Sequence, residues 1–88
     1  AAFAEAFAEA GVAQGLTEND ARHLTASMLT ATGSLLSGTG MTPGELRRRV
    51  TSPAGTTAAG LAELERRGVR AAIIGAVAAS VKRAEELG

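Results

Sequence analysis

Thr17-Glu18-Asn19-Asp20-Ala21-Arg22-His23-Leu24-Thr25-Ala26-Ser27-Met28-Leu29-Thr30-Ala31-Thr32-Gly33-Ser34-Leu35-Leu36-Ser37 is the stretch that decides the fold. Thr17 has the side chain of a helix N-cap, and Asp20 stands three residues on, where a Glu would complete a capping box. From Ala21 the positions Leu24, Met28, Ala31 and Leu35, with neighbours Thr25, Leu29, Thr32 and Leu36, continue with hardly a charge after His23. A helix this apolar on every side is a buried helix, and a small domain buries such a helix against a partner.

Helical spacing continues in both directions from this segment. Phe3, Ala6, Phe7, Ala10 and Val12 recur at three- and four-residue steps before it, with Glu5 and Glu9 on the other face and Gly15 as the stop. This predicts a first helix over residues 1–14 with the phenylalanines in the core. After a flexible break at 37–40, Thr42 caps a short third helix with Pro43 in its first turn and Glu45 reaching back to the cap. Pro53 requires that helix to end near Val50. A fourth helix follows the 51–57 loop and carries Ala58, Leu61, Ala62 and Leu64 to about Arg67, where Gly68 ends it. The fifth runs from Val69 to Leu87 with Ile73, Ala76, Val77, Ser80, Val81 and Ala84 on one face. The expected fold is all-α, five helices without a strand.

Composition agrees with close helix packing. The 88 residues contain two Phe, no Trp and no Tyr, and Ala and Leu dominate the apolar set. A chain this short buries only somewhat more than about 60% of its unfolded surface, so its stability margin alone is thin. Nine basic and nine acidic side chains cancel, which argues against steering toward nucleic acid or an anionic membrane. The absence of cysteine removes thiolate chemistry and Cys-based metal sites. Glu5 and Glu9 break the alanine run that a signal peptide would need, and no apolar stretch reaches the roughly 20 residues of a membrane span. A cytoplasmic location is the expectation.

The segment that composition leaves unexplained is Thr51-Ser52-Pro53-Ala54-Gly55-Thr56-Thr57, a loop of hydroxyls, Pro and Gly leading into a helix. Helix starts present unpaired N–H groups and about half a positive charge, so such a loop can hold a carboxylate or phosphate. The same residues also make an ordinary capped turn.

With Ala58-Ala59-Gly60-Leu61 added, this loop resembles the signature of the pyrroline-5-carboxylate reductases. Met41-Thr42-Pro43-Gly44-Glu45-Leu46, the 47–50 stretch, the 68–84 helix and the Ala10 to Leu16 turn are similar to that family as well. Ala54 departs from the glycine usual there. The resemblance implies a C-terminal domain that dimerises and binds substrate, in the family an interlocked helical dimer, with larger rings of dimers among relatives. It implies that N–H groups around Ser52, Gly55 and Thr56 hold the carboxylate of 1-pyrroline-5-carboxylate, and that the catalytic residue Thr57 bonds its ring nitrogen. The family reduces this imine to proline with NADH or NADPH held by an N-terminal Rossmann domain. No Gly-rich nucleotide fingerprint occurs in these 88 residues, since Gly38-Thr39-Gly40 lacks the preceding strand and the spacing. The expectation is therefore that this chain is the helical domain without its Rossmann partner, binds no cofactor or metal, and does not turn over alone.

Two rival readings use the same residues. A non-catalytic oligomerisation module would need the loop only as a turn. A small DNA-binding domain could use Arg47, Arg48 and Arg49, but three successive side chains spread around a helix and usually form a solvated face. His23 is a lone histidine without a second ligand at metal spacing. Met28 and Met41 read as core filler and a loop residue, and Glu63, Glu65, Arg66 and Arg67 as weakly paired helix charge.

Overall fold

A computed structural model describes residues 1–53 and 55–88, and the departure at Ala54 lies outside them. Five α-helices follow one another: α1 Ala2–Ala13, α2 Glu18–Thr39, α3 Pro43–Val50, α4 Thr56–Arg66 and α5 Val69–Leu87, with no strand among the described residues. The contacts divide into two units, Ala1–Leu46 and Arg47–Gly88.

In the first unit, α1 and α2 form a helical hairpin whose turn is built by glycine and a cap. Gly15 adopts φ +106°, the Gly15 N–H donates to the Val12 carbonyl at 3.0 Å, and the Leu16 N–H donates to the Gly11 carbonyl at 3.0 Å. These two bonds are a Schellman close, which returns orphan carbonyls of the last turn to partners. Two residues later the Thr17 Oγ1 accepts from the Asp20 N–H at 3.1 Å, the expected cap.

The hairpin closes through small residues. A Cβ placed on Gly11 would lie 3.1 Å from the Ala21 Cβ and 3.2 Å from the Leu16 Cδ1, a tight fit that any larger side chain would relieve only by shifting α2 or Leu16. Ala21 is 2% exposed and Thr25 8%. On α1 the half-buried positions are Ala4, Ala8 and Gly11. The expected core face is therefore corrected: Phe3 and Phe7 remain 54% and 47% exposed, because a stripe of alanine and glycine lets helices approach more closely than aromatic rings do. Met28 is likewise exposed rather than core filler.

The second helix is longer than its sequence suggests. The break expected at 37–40 is confined to Gly40, whose φ of +72° ends the helix. Thr39 stays helical and its hydroxyl donates to the Leu35 carbonyl at 2.5 Å. Ala4 of α1 and Leu29 of α2 line one hollow, so beyond about residue 31 no part of α1 runs beside α2. That stretch carries Leu35, exposed, and Leu36, half-buried.

Thr42 caps α3 by accepting from the Glu45 N–H at 3.2 Å. Among the described residues no return bond from the Glu45 carboxylate to the cap is found, so half of the expected box forms. Leu46 is the buried residue of α3.

In the second unit, α4 begins at Thr56, so that the last two residues of the expected loop are helical, and Gly68 turns the chain into α5 with φ +72°. The two helices meet around Leu61 and Val69, both half-buried. Ile74 and Val77 stay 64% and 61% exposed. Replacing Gly11 by Leu should force α1 from α2 and lower stability by about 1–3 kcal/mol, the usual scale of overpacking. Urea unfolding followed by circular dichroism reads this, and an unchanged midpoint would contradict the close approach described for Gly11.

Candidate functional site

The segment joining α3 to α4 is fixed at both ends by its own hydroxyls and turns. The Thr51 hydroxyl donates to the Arg47 carbonyl at 2.5 Å, and the Thr51 N–H to the Arg48 carbonyl at 3.4 Å. Back-bonding of this kind, i to i−4, is a habit of Thr at helix ends. It makes Thr51 an anchor of the loop, a part the sequence reading did not assign.

Gly55 follows as the N-cap of α4, with φ −87° and ψ 172° and no capping side chain. Its N–H donates to the Ser52 carbonyl at 3.0 Å. Its own carbonyl accepts the first helical bond, from the Ala59 N–H at 3.3 Å. A Cβ on Gly55 would collide with the Ser52 hydroxyl, so glycine here keeps the hydroxyl close over the helix start.

Among the described residues no acceptor is present for the N–H groups of Thr56, Thr57 and Ala58, and the Thr56 and Thr57 side chains are exposed. Serine, threonine or aspartate at the cap would have satisfied one of them. With glycine there, the first-turn donors and the positive end of the helix dipole lie close to the Ser52 hydroxyl, with the Thr56 and Thr57 side chains on the same turn. The arrangement suits an anion with two or three acceptor oxygens. Of the residues predicted for the site, Ser52, Gly55, Thr56 and Thr57 thus lie at one helix start. The Gly55 N–H donates to the Ser52 carbonyl, and among the described residues nothing accepts from the Thr56 and Thr57 N–H groups.

The far end of α4 is charged. Glu63 accepts from Arg66 at 2.5 and 3.0 Å and from Arg67 at 2.7 Å. The guanidinium of Arg66, then that of Arg67, holds the Glu63 carboxyl below its ordinary range, and the same contact raises Arg66. All three side chains are well exposed, so solvent and salt weaken the effect. His23 is exposed beside Asn19 and Arg22. Among the described residues no group of three or more acidic, His or Cys side chains could hold a metal, and no helix is long and apolar enough to cross a membrane.

A family model described as pyrroline-5-carboxylate reductase dimerisation matches residues 1–87. The chain is 45% identical over 86 residues to pyrroline-5-carboxylate reductase 3 of Danio rerio, covering 98% of this chain and 30% of that protein. It is 46% identical over 81 residues to the pyrroline-5-carboxylate reductase of Treponema pallidum, covering 92% of this chain and 31% of that one. To the pyrroline-5-carboxylate reductase of Thermus thermophilus it is 48% identical over 88 residues, covering 100% and 33% respectively. The chain thus spans about a third of the length of these relatives.

A carboxyl-observed NMR titration should place the Glu63 midpoint below the ordinary value of about 4.3. Because that pKa is depressed on folding, the contribution of the pair is complete above the ordinary value and is lost as pH falls through the lowered midpoint. Salt at 1 M, or Arg66→Gln, should return the midpoint toward 4.3. A midpoint indifferent to both would contradict the pairing.

Proposed function

Because the chain belongs to the pyrroline-5-carboxylate reductase dimerisation family, we propose that it joins two subunits and holds 1-pyrroline-5-carboxylate while the reductase reduces it to proline. In this reading residues 1–88 act as one domain of a cytoplasmic enzyme of proline biosynthesis. The nicotinamide cofactor, NADH or NADPH, lies on a nucleotide-binding domain outside this chain and supplies hydride to the imine carbon. The partner is a second copy, in an interlocked dimer or a ring of such dimers, and neither nucleic acid nor membrane takes part.

One observation supports the substrate assignment: the uncapped start of α4, with Thr56 and Thr57 N–H groups open beside the Ser52 hydroxyl. The substrate is a small ring bearing one carboxylate and one imine nitrogen. Its carboxylate accepts from the Thr56 and Thr57 N–H groups and from the Ser52 hydroxyl, where the helix dipole favours negative charge. Gly55 admits it because no side chain stands there. The ring nitrogen then falls to the Thr57 hydroxyl. A protonated imine accepts hydride more readily than a neutral one, and its N–H donates to the Thr57 oxygen, which fixes the ring for attack. The proton stays on the nitrogen, and proline leaves as the secondary amine.

In a reductase carrying both domains, Thr57→Val should lower kcat by a factor of roughly 10 to 100, the scale of one lost hydrogen bond to a charged group. Normal turnover in that variant would remove the role given to Thr57. In a Ser52→Ala background, where the new side chain meets only ordinary contacts with the carbonyl and Cβ of residue 52, Gly55→Asp should cap α4 itself. Calorimetry should then show stability unchanged or slightly raised while affinity for proline falls at least about tenfold. Undiminished affinity would mean that the helix start does not bind the carboxylate.

A further inference from the structure

The neutral total charge hides a division. Residues 1–46 carry Glu5, Glu9, Glu18, Asp20 and Glu45 against Arg22 alone, a net of −4. Residues 47–88 carry eight cations against four carboxylates, a net of +4. The four ion pairs among the described residues, Glu63 with Arg66 and with Arg67, Glu65 with Arg70, and Glu86 with Arg83, all fall in the second set. Once these are set aside, unpaired acid concentrates on α1 and the start of α2, and unpaired base on α3 as Arg47, Arg48 and Arg49.

The acidic groups stand around a hollow. Glu5, Glu9 and Glu18 rim a depression between α1 and α2 whose floor includes Ala8 and Val12, with Arg22 the one cation at its edge. The adjoining depression continues the apolar floor to Ala26 and Leu29. An apolar floor under a carboxylate rim matches the arginine side chain, which lays an aliphatic stem on apolar surface and holds its charge at the edge. Helix dipoles account for some of the placement, since Glu5 and Glu18 sit in first turns and the three arginines in the last turn of α3. They do not account for Glu9 or for the apolar floor between the carboxylates.

We propose that the acid-rimmed hollow between α1 and α2 of one copy receives arginine from the 47–49 run of a second copy, the rest of the run adding to the positive field around it, so that the two copies pair crosswise, acidic unit to basic unit. This rests on the second-copy reading above and adds which surfaces meet and what orients them. Two-fold symmetry repeats the contact, giving two such seats per dimer. Like surfaces brought together would instead place carboxylates against carboxylates and arginines against arginines, which opposes a like-to-like register.

The test uses the full chain and two charge-reversed versions, Glu5→Lys/Glu9→Lys/Glu18→Lys and Arg47→Glu/Arg48→Glu/Arg49→Glu, in sedimentation equilibrium at low and high salt. Each reversed chain alone should dimerise at least about tenfold more weakly than the parent at low salt. An equimolar mixture should regain parental affinity, because Lys then meets Glu at one seat and Glu meets Arg at the other. A single chain with all six reversals should regain it too, which settles the matter if either triple variant loses helicity. Parental affinity in both triple variants, or no recovery on mixing and none in the six-fold variant, would overturn the crosswise pairing while leaving a dimer. A parent that stays monomeric would overturn the second-copy reading and this pairing with it.

Discussion

The contact between Gly11 and Ala21 is the constraint on which the first unit depends. It draws α1 against α2 along a stripe of alanine and glycine, and such a stripe encloses almost nothing. Buried residues number three among those described, Ala21, Thr25 and Leu46. Phe3, Phe7, Leu24, Leu29 and Leu35 are consequently left outside in one unit, and Ile73, Ile74, Val77 and Val81 in the other. Burying a side chain of this size is worth roughly 1.5–3 kcal/mol. Monomers rarely leave so much apolar surface in water, and a dimerisation domain needs it there.

The same economy of side chains shapes the candidate site. Glycine at the start of α4 forgoes a cap, and Thr51 ties the loop to α3 through its hydroxyl, so the turn is held without using the Thr56 and Thr57 donors. A better-capped helix would be more stable and would have no room for a carboxylate. Local stability is given up where a ligand can restore it, a pattern common at binding sites.

Much of this was legible in the sequence because its signals are local. The Thr17 and Thr42 caps, Gly15 and Gly68 as helix ends, the end of α3 before Pro53, and the five helices without strands among the described residues follow from residues within a turn of one another. The resemblance over 51–61 singled out Ser52, Gly55, Thr56 and Thr57, which lie within a few residues of one another at the start of α4. Errors arose where the outcome depended on what a helix packs against. Periodicity marked Phe3 and Phe7 as core, since an apolar face looks alike whether it meets its own chain or another. It could not show that Ala4, Ala8 and Gly11 would form the intrachain contact. The glycine at position 38 suggested a break after Ser37, but a single glycine weakens a helix by only about 1 kcal/mol, and α2 continues to its left-handed close at Gly40.

The central claim is that this chain completes its core with a second copy. Its most direct test is the thermal midpoint followed by circular dichroism over a hundredfold range of protein concentration. Unfolding coupled to dissociation makes the midpoint rise steadily with concentration, and the claim predicts that rise together with a dimeric mass by light scattering at the upper end. A concentration-independent midpoint with a sharp transition and a monomeric mass would show that the chain is stable by itself, and would contradict the claim.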